Sequence, residues 1–223
     1  MTPPAKPPRA ALEAGRIRFL EAADRVFIRE GYDGSTIRAI ATEAKTSLAR
    51  LNRHWSGKED LFAEVFARHF NPIHEAQHAA LTALEAASTD GLVDIRQIIE
   101  AFLSPALMAG VGTEERRTSH LVYCRALVDP APEVKRILTG LTDQIRHQLI
   151  DMLRRAMPAP DVQTFFLIVA VVLGAYVHPQ LFGENMAAFM GISFESVDWN
   201  KAGGVIADLL VDGLRNSAGQ PAR

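Results

Sequence analysis

Apolar residues recur at intervals of three and four along nearly the whole chain, and valine and isoleucine alternate with polar residues over no length, so helices are expected and no strand. Ile17, Leu20, Ala23, Phe27 and Ile28 make one stripe, which Gly31 is placed to end as a left-handed cap. Ser35 or Thr36 can cap a second helix of about two turns carrying Ile37, Ile40, Ala41 and Ala44. Beyond Lys45-Thr46, Ser47 opens a third short helix with Leu48, Leu51 and Trp55 at i, i+3 and i+7. Gly57-Lys58-Glu59-Asp60 breaks and restarts the pattern, predicting a fourth helix over 58–86 with a kink or brief break at Asn71-Pro72. Further helices are predicted over 91–109, 114–128, 133–157, 160–182 and 199–216. The breaks fall at Gly110-Val111-Gly112, Asp129 to Pro132, Pro158-Ala159-Pro160 and Gly183 to Asp198. The proline-rich residues 1–10 read as a disordered arm.

The fold class is therefore all-α, and 223 residues allow one large domain or two small ones without disulfide or metal support. The longest apolar run, Phe165–Val177, has 13 residues, short of the roughly 20 that cross a bilayer. A helix apolar on all sides is instead expected in a core or between subunits. The one cysteine, Cys124, excludes an internal disulfide and suits a reducing compartment, either as a buried apolar residue or as a reactive thiol. The N-terminus has prolines and basic residues where a signal peptide needs an apolar run, so a cytoplasmic protein without membrane association is expected.

Net charge is −2 over the chain, but residues 1–60 carry eleven Lys/Arg against eight Asp/Glu. No acid lies between Glu43 and Glu59, where Lys45, Arg50, Arg53, His54 and Lys58 cluster. Two short helices on a tight turn make a helix-turn-helix, whose second member can enter the major groove, and the basic patch coincides with it.

The stretch IRFLEAADRVFIREGYDGSTIRAIATEAKTSLARLNRHWSGKEDL, Ile17–Leu61, strongly resembles the DNA-binding region of the TetR family of bacterial regulators. Ala22, Ala23, Phe27, Gly31, Tyr32, Ser35, Thr36, Ile40, Ala41, Ala44, Ser47, Leu51, His54, Lys58, Glu59 and Leu61 match its pattern in register, with Trp55 in place of phenylalanine. Lys45 stands where the family has its turn glycine, Thr46 for valine, Ala49 for glycine, Asn52 for tyrosine and Gly57 for serine. The resemblance implies a helix-turn-helix domain at 16–61, a helical effector-binding and dimerisation domain at 62–217, a flexible arm at 1–15 and a flexible tail at 218–223. It also implies a homodimer on an inverted-repeat operator in double-stranded DNA, released by a small-molecule effector. Repression is the family default.

Thr36, Arg38, Lys45, Ser47, Leu48, Arg50, Asn52, Arg53, His54 and Lys58 are the candidate DNA-facing residues. Arg50 is the first choice for a base edge, because a guanidinium pairs bidentately with guanine. Asn52 and Arg53 can read a base or touch phosphate, and Lys58 suits a phosphate at a helix N-terminus. Ser47 and Thr36 serve as caps or phosphate donors; Leu48 belongs to the core or meets a thymine methyl. Lys6 and Arg9 can reach a minor groove or stay in a free tail.

By resemblance, the last two long helices form a four-helix dimer bundle, for which Phe165, Phe166, Val169, Val172, Tyr176, Trp199, Ile206 and Leu210 are the candidates. Phe66, Phe70, His74, His78, Phe102, Met108, His120, Tyr123, Arg125 and His147 are the candidate effector contacts, suited to an apolar or amphipathic molecule. Arg125 can meet an effector carboxylate or pair with Asp129 one turn on. Pro72 is a candidate pivot for a fourth helix that swings the recognition helices.

One motif points elsewhere. In His74-Glu75-Ala76-Gln77-His78 the two histidines share a helical face and could hold zinc, with Glu75 as general base. A hydrolase needs a third ligand and an open position, and the downstream acids Glu85 and Glu100 carry no signature. The reading preferred is no metal and no cofactor; the alternative is a regulatory metal on His74 and His78 completed by His120 or His147.

Overall fold

The computed structural model describes residues 9–88, 92–157 and 160–218, which are helices and their connecting turns with no strand among them. Lys6 with the rest of residues 1–8, the Pro158-Ala159 break and residues 219–223 lie outside the described residues. The helices are α1 (Arg9–Gly34), α2 (Ile37–Glu43), α3 (Leu48–Leu51), α4 (Lys58–Ala87), α5 (Ile95–Met108), α6 (Glu114–Val128), α7 (Pro132–Ala156), α8 (Val162–Phe189) and α9 (Trp199–Ala218). A 3₁₀ turn, Phe194–Ser196, joins the last two.

Residues 9–15, assigned above to a flexible arm, are the first turns of α1. Phe19, Ala22, Ala23, Val26 and Phe27 bury one face of that helix. Gly31, at φ 71° and ψ −177°, interrupts the helical backbone as the sequence predicts, and a last turn runs on to Gly34. Glycine suits the position because φ is positive; a Cβ would also make a tight 3.1 Å approach to Arg125 Nη2. Ser35 is buried and donates to the Gly31 carbonyl at 2.5 Å, leaving Thr36 as the true N-cap, which accepts from Ala39 N–H at 3.0 Å.

Helix α4 belongs to both halves of the molecule. Near its start Phe62 and Phe66 pack on Phe27, with ring centroids 5.5 and 5.1 Å away. Farther along, Phe70, Ile73, Gln77 and Leu81 enter the larger core. Its 30 residues run through Pro72 unbroken, so of the kink or brief break expected there the break does not occur. Proline here forfeits only its own hydrogen bond to the Arg68 carbonyl, and packing on both sides holds the helix together.

Helix α9 lies along α5, the most extensive contact in the fold. Gly203 makes the approach possible, since a Cβ there would collide with Ser104 Oγ. Gly183 was expected to begin a break, yet α8 continues past it to Phe189 because the missing side chain is where the Phe194 ring sits. Helix α8 thus has 28 residues, far more than the 13-residue apolar run, and with a mean hydropathy of 1.9 over its best 18 residues it is long and apolar enough to cross a membrane by length and composition. Val172 and Tyr176, expected between subunits, are instead buried within the chain. The outward face of α8 shows Phe166, Leu167, Val171, Phe182 and Met186 to solvent.

Candidate DNA-binding surface and effector cavities

The turn between α2 and α3 is closed by Thr46 N–H to the Ala41 carbonyl at 3.0 Å and Lys45 N–H to the Thr42 carbonyl at 2.9 Å, the double bond of a glycine-type helix cap. That closure puts Lys45 at φ 51°, the only non-glycine with positive φ among the described residues. The family's turn glycine would sit there without strain. Helix α3 is a single turn whose hydrogen bonds continue to Trp55, burying Leu51 and Trp55. Trp55 packs edge-on to Phe19 at 5.8 Å and donates to Glu64 at 2.9 Å.

On the opposite side Arg38, Lys45, Ser47, Ala49, Arg50, Asn52 and Arg53 are exposed together. Leu48, left open between core and surface, is 39% exposed and joins them. Among the described residues Arg38, Lys45, Arg50 and Arg53 have no carboxylate partner, whereas Arg16, Arg25, Arg29, Arg68, Arg136 and Arg155 are all paired. The Ser47 hydroxyl makes no cap bond, while Thr36 uses its own for one. Two of the predicted residues are set apart. His54 is half-buried against Phe19 and Trp55, and Lys58 holds its ammonium 4.1 Å from the Tyr32 ring, near Asp33, Glu133 and Asp129. Burial lowers the Lys58 pKa despite those acids.

The small N-terminal domain is tied to the larger one by polar contacts. Asp24 of α1 is buried and accepts from His69 Nε2 at 2.7 Å and from Arg68 at 2.8 Å, both on α4. His69 Nδ1 is 2.6 Å from Ser119 Oγ on α6. A second tie lies at Gly31: Tyr32 N–H donates to Asp129 at 3.2 Å, and Arg125 stands against the glycine with its buried Nε unpaired. Arg125 therefore stands at the joint, and it makes no ion pair with Asp129 within 4.0 Å. Glu59 at the start of α4 closes a third tie to Arg136 of α7 at 2.9 Å.

An inner cavity of about 340 Å³ lies between α4, α5 and α6, and Met108 and His120 of the predicted set line it. His74 and His78 line a different one of about 270 Å³ between α4 and α7. An outer cavity of about 620 Å³ beside α1 shares His69 and Ser119 with the inner one. Phe66 belongs to the N-terminal aromatic core, Phe70 packs on Tyr123, and Phe102 and Tyr123 pack on Tyr176; these four line none of these cavities. His147 is two-thirds exposed beside Asp143. Cys124 is buried at 3.3 Å from His120 Nε2, its thiol pushed up to about 12, which answers the thiol question in favour of an inert apolar residue.

The shared face of His74 and His78 is real, since both border the same cavity with Glu75. Its chemistry is not a zinc site's: His78 bonds Gln148 at 2.6 Å, His120 lines another cavity, and His147 faces solvent. No group of three metal-ligating side chains comes together among the described residues.

Asp24, His69 and Ser119 were missed from sequence, although Asp24 follows Leu20 by four on an apolar stripe and His69 lies between Phe66 and Phe70 on another. A polar residue inside an apolar face is the signal. On α8 and α9 the apolar residues Leu167, Val171, Phe182, Met186 and Val205 were missed as candidates, and all are exposed.

A helix-turn-helix with unpaired cations, carried on an all-helical domain that holds cavities, defines a one-component transcriptional regulator. Residues 19–65 match the family model of bacterial regulatory proteins of the tetR family, and residues 100–212 match the tetracyclin repressor-like C-terminal domain. The chain belongs to the TetR family, and it is a transcriptional regulator, not an enzyme. Among solved structures it is similar to a transcriptional regulator from Pseudomonas aeruginosa at 20% identity and TM-score 0.62, with 92% of each chain covered. A TetR-like regulator from a Rhodococcus species aligns at 25% identity and TM-score 0.56, over 96% of this chain and 100% of that one. The transcriptional regulator FadR from Bacillus subtilis, in complex with stearoyl-CoA, shares the fold at 14% identity and TM-score 0.62, over 88% and 98%. No curated protein matches the chain.

Three measurements check this geometry. Lys45→Gly should relieve the left-handed strain and raise stability by about 1 kcal/mol in urea unfolding. Asp24→Ala, which orphans His69 and Arg68 at a buried pair, should cost about 3 kcal/mol. Burial depresses His120 to about 4 from an ordinary 6.5, outweighing the nearby Gln180 side chain. The unfolded chain therefore binds a proton at higher pH than the native one, so stability is full above 6.5 and falls as pH drops towards 4. His120→Leu should flatten that part of the urea-stability profile by about one proton.

Proposed function

We propose that the protein is a cytoplasmic, homodimeric repressor that binds an inverted-repeat operator and is released by a small apolar or amphipathic effector. The observation that carries this reading is the unpaired set Arg38, Lys45, Arg50 and Arg53 around the turn, in a chain whose other described arginines are mostly matched with acids. Free cations on one surface gain by releasing counterions from DNA, whereas paired ones would first have to break their bridges. Arg50 and Asn52 read base edges, with Leu48 available for a thymine methyl; Arg38, Lys45, Ser47 and Arg53 hold phosphates. Lys58 supports the surface from behind, over Tyr32, more than it meets a phosphate itself.

Dimerisation uses the exposed apolar strip of α8 and α9, where Phe166 is 68% and Leu209 70% exposed. Two copies of that strip make a four-helix bundle, and a twofold pair of recognition helices demands a palindromic site. The bundle also accounts for the hydropathy of α8, whose opposite side carries Tyr176 and Gln180 into the chain's own core.

The effector enters the helical domain, and its binding favours a state in which α1 and α4 shift at the Asp24–His69–Ser119 joint. FadR of Bacillus subtilis holds stearoyl-CoA in this fold, which supports an amphipathic ligand without naming one here. The metal alternative rests on the face shared by His74 and His78 alone, since no third ligand joins them among the described residues.

Binding to duplex DNA from the gene's own upstream region, measured by fluorescence anisotropy, tests the reading. Arg50→Ala should weaken operator binding by about 1–3 kcal/mol and relax base preference; Lys45→Ala should lower affinity uniformly and reduce the salt slope by about one. Salt-independent binding, or indifference to both substitutions, would rule the assignment out.

A further inference from the structure

We propose that the inner cavity between α4, α5 and α6 receives a small organic carboxylate with an apolar body, read by Arg116 and His120. This rests on the regulator reading above and names the ligand class for its helical domain. The walls supplied by Pro72, Ile73, Pro105 and Met108 are apolar, and the polar groups gather on α6. Arg116 is exposed at the cavity and, among the described residues, has no carboxylate partner; its guanidinium donates only to the Val111 carbonyl at 3.2 Å. Its neighbour Arg117, by contrast, is bridged to both Glu114 and Glu195. No aspartate or glutamate lines the cavity, so an anion entering it meets one guanidinium and no opposing charge.

His120 supplies the second contact. It is 4% exposed, lines the cavity, and leaves its Nδ1 without a hydrogen-bond partner. Buried polar nitrogens are ordinarily satisfied, and one left unpaired in a residue of the cavity wall is met by a ligand oxygen once the ring turns toward the cavity. Burial keeps the ring neutral at physiological pH, so it contributes a hydrogen bond and Arg116 the charge. The orphan Nδ1 and the free guanidinium both belong to α6, four residues apart, on one helical face.

Size narrows the class. At about 340 Å³ the cavity is at the small end for ligand pockets, suited to a medium-chain or single-ring acid and too small for a long-chain coenzyme A thioester. The same cavity ends on Ser119 and His69, whose 2.6 Å bond leads to Asp24 of α1, so the occupant abuts the joint it has to move.

Calorimetric titration of the full-length protein with octanoate, phenylacetate, octan-1-ol and octylamine tests the proposal. One or both acids should bind, octanoate at least about tenfold more tightly than octanol or octylamine. Arg116→Gln, at an exposed position that leaves the fold intact, should erase that preference, and His120→Phe should weaken acid binding, while His147→Gln should change nothing. Equal affinity for all the octyl probes, a preference that survives Arg116→Gln, or no binding of either acid at millimolar concentration would overturn the proposal. Operator binding is measured in the same ligand-free samples: its absence would count against the regulator reading, whereas loss of the acid preference with DNA binding intact overturns the ligand class alone.

Discussion

The structure turns on one buried polar knot, in which Asp24 of α1 is held by His69 and Arg68 of α4 and, through His69, by Ser119 of α6. A carboxylate at that depth is tolerated only with its partners in place, because desolvation costs more than any one bond returns. Direction follows from this: three helices from two domains are fixed by short bonds with narrow geometry, where an apolar contact would allow sliding. The ties at Tyr32–Asp129 and Glu59–Arg136 act farther along the same seam. A seam made of discrete bonds has discrete alternatives, the kind of element a ligand can bias.

Charge is distributed in keeping with that division. Arginines that hold the molecule together are matched with acids, among them Arg16 with Glu64, Arg68 with Asp24 and Arg96 with Asp208. Those around the α2–α3 turn are not. A near-neutral protein thereby keeps a local positive field where the chain presents its shortest helix, and the field survives because α3 lacks acids of its own. Lys45 sharpens the point: it accepts a left-handed backbone that glycine would adopt freely, and gains a cation at the centre of the surface.

The helical class, the boundaries of α4, α6 and α7 within about two residues, and the helix-turn-helix were readable in the chain, because stripes, caps and turn residues are local signals. The cap at Thr36 and the break at Gly31 are local too. What sequence reading misassigned is what depends on a neighbour. Gly183 looks like a helix breaker until Phe194 is seen to occupy its missing side chain. Pro72 looks like a break until packing carries α4 through it. Arg125 looks like an effector contact or half of an ion pair, and only the fold sets it against Gly31. Helix α8 defeated periodicity for a different reason: it is apolar on every side, so no stripe distinguishes the Val172 and Tyr176 side, which serves this chain's core, from the Phe166 and Val171 side, which is left open.

The two cavities that share His69 and Ser119 give a physical basis for coupling without a long pathway. His69 and Ser119 line both, so an occupant of the cavity proposed above would lie one imidazole's width from the residues that hold α1. Nothing need propagate through the aromatic core around Tyr123, which is packed ring on ring and resists small displacements. The His74–Glu75–His78 face, beginning five residues beyond His69 on α4, looks into a separate cavity toward α7 and has no bond to Asp24 or Ser119. Proximity to the polar knot, more than the chemistry of the side chains alone, is therefore what favours this cavity over the one suggested by the motif for the proposed control of α1.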